Sequence, residues 1–136
     1  MYKKILVPIE AGALEKGERI FRKAASLLDS GGEIILLNVV EQAPTYLMLD
    51  FPADLIEGAI SDAREKLQGL LLKTGIPARI QLRQGPPARE ILEAAKELGT
   101  DLIVIASHTP DYTNYYIGAT ADRVVRHSLC SVLVDR

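Results

Sequence analysis

Five short apolar runs divide the chain: Lys3 to Ile9, Glu33 to Val40, Ala78 to Arg83, Asp101 to Ala106 and Ser131 to Val134. Ile34-Ile35-Leu36-Leu37 and Leu102-Ile103-Val104-Ile105 are apolar without a break. That is the pattern of central strands covered on both faces. Between the runs the apolar period changes to that of a helix. Ile20, Phe21, Ala24, Leu27 and Leu28 mark one helix from Leu14 to Leu28, which Ser30-Gly31-Gly32 is expected to end. Ile56, Ile60, Ala63, Leu67, Leu70 and Leu71 share a face of a second, from Ala53 to Lys73, with Gly75 as its stop. Pro86-Pro87 opens a third, which continues through Ile91, Leu92, Ala95 and Leu98 to Gly99. A fourth runs from about Ala119 to Ser128. Strand and helix alternate throughout. This predicts one α/β domain over residues 1–136, a doubly wound, Rossmann-like sheet of five parallel strands. Right-handed crossovers leave two strand orders open, 3-2-1-4-5 and 2-1-3-4-5. Glu41 to Pro52 breaks the alternation with Tyr46, Leu47, Met48, Leu49 and Phe51 between two prolines. Such a loop either covers a ligand or a partner subunit, or packs on its own domain.

Composition narrows the class. The 136 residues are 48% hydrophobic and carry a formal charge of -2, so no broad basic surface argues for nucleic acid. A single cysteine, Cys130, excludes an internal disulfide and suits a reducing compartment. No apolar run is long enough to span a bilayer, and none at the amino terminus reads as a signal region. The expectation is a soluble cytoplasmic protein.

The chemistry concentrates between Asp101 and Arg136, which reads strand, polar loop, glycine, helix, strand. In a parallel sheet, a strand's carboxyl end beside a helix amino terminus is where anions and nucleotides bind. Gly118, Ala119 and Thr120 would present backbone amides there, with a hydroxyl from Thr120. The alternative is an ordinary helix entry with hydrated amides. Ser107, His108 and Thr109 follow the fourth strand, placed either to bond phosphate or ribose or to shape the loop. His108 could also carry a proton. Asp111 reads as a water-mediated metal contact or as a solvated loop residue. Glu10, beyond the first strand, would accept from an adenine amino group or a ribose, or cap the first helix. Pro8 and Val39 would wall a base or pack in the core. His127, beside Arg126, suits the carboxyl end of the last helix. Cys130 reads as a small hydrophobe starting the last strand. Lys16, Glu18 and Arg22 read as a solvated helix face. No phosphate-binding G-x-x-x-x-G-K-[ST] run, no G-x-S-x-G elbow and no cluster of His and Cys ligands is present.

Several of these segments together resemble the universal stress protein family. Lys4-Ile5-Leu6-Val7-Pro8-Ile9-Glu10 is similar to its opening strand, with Glu10 where Asp is usual. Leu36-Leu37-Asn38-Val39-Val40 is similar to its second, with Asn38 in place of a histidine. Gly85-Pro86-Pro87 is similar to the entry of its third helix. Asp101 to His108, then Gly118 and Val124 to Val134, complete the order. Ser107 to Asp111 resembles the small F/G-type branch. The resemblance implies an adenine nucleotide alpha hydrolase-like sheet in the order 3-2-1-4-5 and a homodimer through the last strand. It also implies ATP or AMP at the switch point, with Mg possible beside ATP. The implied contacts are Pro8, Ile9, Glu10, Val39, Ala106, Ser107, His108, Thr109, Gly118, Ala119 and Thr120. The family's binding pattern is G-x2-G-x9-G-[ST]. Here Ala106 and Thr109 stand at the first two glycine positions, and Ala119 stands at the Ser/Thr position. The expected role is a dimeric, non-catalytic stress-response regulator with unknown protein partners. The alternatives are an interaction module without nucleotide, and a slow ATP hydrolase using His108 or Asp111.

Overall fold

The strands form where apolar β-branched runs are bounded by polar residues, and their tips define where a ligand could sit. The computed structural model describes residues 1–41, 53–107 and 118–136. Strands β1 (Tyr2–Pro8), β2 (Leu28–Val40), β3 (Arg79–Gln84), β4 (Leu102–Ala106) and β5 (Ser131–Asp135) alternate with helices α1 (Leu14–Leu27), α2 (Ala53–Thr74), α3 (Pro87–Leu98) and α4 (Ala119–His127). All strand pairs are parallel and the order is β3-β2-β1-β4-β5. This is the doubly wound, Rossmann-like sheet expected from the alternation, in the first of the two open orders.

Successive residues of a strand point to opposite faces, so each central strand feeds two cores. Ile5, Val7, Ile34, Leu36, Leu102 and Val104 face α1 and α2, meeting Ile20, Phe21, Ala24, Leu67 and Leu70. Leu6, Ile35, Leu37, Ile103 and Ile105 face α3 and α4, meeting Ile91, Ala94, Ala121 and Val124. The unbroken apolar character of β2 and β4 follows from this double coverage.

The Ser30-Gly31-Gly32 triplet does not end α1. The helix passes at Leu28, in extended conformation, straight into β2. From Tyr2↔Leu28 to Lys4↔Glu33, β1 advances two residues while β2 advances five, so the triplet lies in a bulge. Gly31 takes φ +80° there, and a Cβ on Gly32 would lie 2.8 Å from the Lys3 carbonyl oxygen and 2.7 Å from Leu28 Cδ1. Replacing Gly32 by alanine is therefore expected to cost about 1–3 kcal/mol, because backbone must shift. Urea unfolding that matches the unsubstituted protein would show that the bulge tolerates a side chain. The same end of β1 is also tied by Asp101, whose carboxylate accepts from the Lys3 and Lys4 amides at 2.9 and 3.0 Å. Burial opposes its ionisation, but these amide bonds prevail and hold its carboxyl below the usual range.

The charged side of α1 is more than a solvated face. Glu18 pairs with Arg22 at 3.2 Å and with Lys73 of α2 at 2.8 Å. Hydrogen bonds from Lys73 first, then Arg22, hold its carboxyl below the ordinary value. Cys130 precedes β5 rather than starting it, and its amide donates to Ser128 Oγ at 3.1 Å. No helix among the described residues is long and apolar enough to cross a membrane.

Candidate functional site

From β1 the chain winds outward through β2 and β3, then returns to β4 on the other side of β1. The carboxyl ends of β1 and β4 thus flank the point where the winding reverses. Crevices open at such points because the flanking connections leave in opposite directions. A cleft of about 640 Å³ lies here, within the range of small-molecule sites.

Three strand tips form its floor. At β1, Pro8 is half-buried and Ile9 buried, and the Ile9 amide donates to the Leu37 carbonyl at 2.8 Å. Asn38 of β2 is buried, and its Nδ2 donates to the Ile9 carbonyl at 2.8 Å. These two bonds lock the tips of β1 and β2 together and set Val39 beside the cleft. At β4, Ala106 is half-buried and Ser107 buried, the Ser107 amide donating to the Asp135 carbonyl at 2.8 Å.

α4 closes the fourth side. Gly118 is its N-cap, at φ +97° and ψ 147°, and as a glycine it brings no side chain to cap the helix. The Gly118 carbonyl accepts the first intrahelical bond, from the Asp122 amide at 2.9 Å. The amides of Ala119, Thr120 and Ala121 precede that bond and have no acceptor within the helix. All three residues line the cleft. Their donors and the positive end of the helix dipole favour an anion. The described charged residues on the walls are Glu10, Lys16, Glu41 and Asp62.

Pro8, Ile9, Glu10, Val39, Ala106, Ser107, Gly118, Ala119 and Thr120 therefore meet at one cleft. His108, Thr109 and Asp111 lie outside the described residues, as does the apolar loop over residues 42–52. Glu10 does not cap α1 with its side chain. The N-cap is Ala13, and only the Glu10 carbonyl takes part, accepting from the Ala13 amide at 3.1 Å. Sequence reasoning missed the walls contributed by the helices. Ala13 comes from the N-cap of α1, Lys16 and Gly17 from α1 itself, and Ala59, Asp62 and Ala63 from α2. Gly17 is the one with a legible signal. It interrupts a helical pattern because a Cβ there would lie 2.6 Å from Ile9 Cγ2. His127 and Cys130 line a separate hollow between α3 and the approach to β5. Among the described residues no group of three or more His, Cys, Asp or Glu is placed to hold a metal ion.

The geometry has close counterparts. Universal stress protein G of Shigella flexneri is 34% identical over 142 residues, covering all of both chains. The same-named protein of Salmonella typhimurium is 32% identical, again over the whole of both. The solved structure of the protein MJ0577 superposes with a TM-score of 0.80 at 25% identity, across 98% of this chain and 95% of that one. The profile of the Universal stress protein family matches residues 1–136 from end to end. With its sheet order, its switch-point cleft and these full-length matches, the chain belongs to the universal stress protein family, beside the G-type members of the F/G branch.

Proposed function

We propose that the cleft binds an adenine nucleotide, ATP or AMP, and that the protein acts as a dimeric, non-catalytic regulator in a stress response. The observation that carries this reading is the glycine-led start of α4, whose first three residues line the cleft beside the β4 tip. A phosphate group would supply acceptors that the helix itself does not give those amides. The base would lie over Pro8 and Val39, with Glu10 exposed at the rim to meet an amino group or ribose. With ATP, Mg would offset the carboxylates Glu10, Glu41 and Asp62. Titration calorimetry with ATP, ADP and AMP tests the reading. Binding with a matching rise in melting temperature is expected, and no heat at millimolar nucleotide would retire it.

Ala106 and Ala119 favour a second reading, an interaction module without nucleotide. Ala106 puts a β-carbon where the family's binding pattern has a glycine, and Ala119 lacks the hydroxyl that the pattern has at its place. Adenine nucleotide found by mass spectrometry in the purified protein would count against it. A slow ATP hydrolase would require His108 or Asp111, and undiminished phosphate release from the His108→Ala, Asp111→Ala variant would reject those roles.

The dimer would form through β5. This strand ends the sheet, paired on one side to β4, with Val132, Leu133 and Val134 half-buried. An open strand edge leaves backbone donors and acceptors for a second copy across a two-fold axis. Light scattering at micromolar concentration is expected to give twice the 14.9 kDa chain mass. A monomer under those conditions would contradict the arrangement.

A further inference from the structure

The end of a strand is the part of a sheet that opens most readily. At β5 that end is fastened from outside the sheet. Asp135 is its last residue, and its carboxylate receives Arg19 Nε at 2.6 Å and Lys23 Nζ at 2.7 Å, both from α1. The carboxylate is mostly buried, at 11% exposure. Hydrogen bonding from Lys23 lowers its pKa most, against the cost of burial, with Arg19 adding to the effect. The same residue acts through its backbone. β4 and β5 are paired as far as Ala106↔Asp135, and the Ser107 amide then donates to the Asp135 carbonyl at 2.8 Å. That bond is the last rung of the ladder, and Ser107 is a buried residue on the cleft. Nothing else described on β5 ties its tip to α1 by an ion pair.

We propose that Asp135 is a positioning residue of the cleft: clamped by Arg19 and Lys23, it holds Ser107 where the chain leaves β4 and enters the site. The carboxylate fixes the strand end, the carbonyl fixes the Ser107 amide, and the α1 cations thereby set one side of the ligand position without touching it. Its ligand arm rests on the nucleotide reading above; its backbone arm does not.

Asp135→Asn and the Arg19→Gln, Lys23→Gln double variant test it. Lys73→Gln is the control, since it removes an α1–α2 ion pair of the same kind away from β5. Amide hydrogen exchange by NMR is read at Ser107 and, as an internal reference, at Ile103, the buried second residue of β4. Exchange at Ser107 relative to Ile103 is expected to rise about tenfold or more in both test variants, as a charge-assisted tie is lost. It should stay unchanged in Lys73→Gln, and Asp135→Glu should recover most of the protection. AMP affinity should fall about fivefold or more in the test variants only. Equal acceleration at Ser107 and Ile103 means general destabilisation and overturns the proposal, as does unchanged exchange at Ser107. Faster exchange with unaltered AMP affinity overturns the role in the site. If the unsubstituted protein takes no AMP, the nucleotide reading fails and the role in a nucleotide site falls with it; the exchange ratio still decides whether Asp135 holds Ser107.

Discussion

Phe21→Ala is expected to lower the free energy of unfolding by about 3–5 kcal/mol. Phe21 is fully buried and is the largest side chain in the core between α1, α2 and the sheet. Its neighbours Ile5, Val7, Ile34 and Leu36 are held by strand pairing and cannot collapse far into the space it leaves. Against a typical stability of about 5–15 kcal/mol the loss is large. Urea unfolding checks it, through a lower midpoint at an unchanged slope. A loss under about 1 kcal/mol would mean that α1 is not seated on the sheet by this residue. The effect bears on the cleft too, because Lys16 and Gly17 of the same helix wall it.

Gly118→Val should have the largest effect on ligand affinity. At φ +97° and ψ 147°, Gly118 occupies a region that side chains with a Cβ scarcely enter, at a cost of about 1–3 kcal/mol. The valine variant either bears that strain or moves the start of α4. In the second case the amides of Ala119, Thr120 and Ala121 leave their common focus, and nucleotide binding should weaken by about tenfold or more. Gly69→Ala is the matched control: no atom within 4 Å obstructs a Cβ there, and the site lies on α2 away from the cleft. It should leave affinity unchanged and stability slightly raised. Calorimetry with AMP on both variants, and thermal unfolding alongside, reads the difference. Unaltered affinity in Gly118→Val would separate the ligand from the start of α4.

Apolar period made the sheet legible. Each expected strand lies within one or two residues of an observed one, except at the beginning of β2. There the glycines misled, because a positive φ serves a helix end and a bulge alike and leaves the same residue in the sequence. The family resemblance chose between the two strand orders; periodicity alone did not. Within the site, Pro8, Val39, Ala106 and Gly118 were readable because strand tips and a helix entry are marked by local sequence. Asn38, Asp101 and Asp135 were not. Each acts through a partner far along the chain, namely Ile9, Lys3 and Lys4, or Arg19 and Lys23. Such pairing has no period to detect. The helix walls around Lys16 and Asp62 were missed for a related reason: a cleft-facing helix residue looks in sequence like any other on an amphipathic helix.

The cleft takes its surfaces from chain positions as distant as Pro8 and Thr120, joined only through the completed sheet. No fragment of the polypeptide carries it. Occupancy is thereby a readout of intact molecules, and a metabolite captured there would protect the whole chain from turnover in proportion to its abundance, by mass action alone.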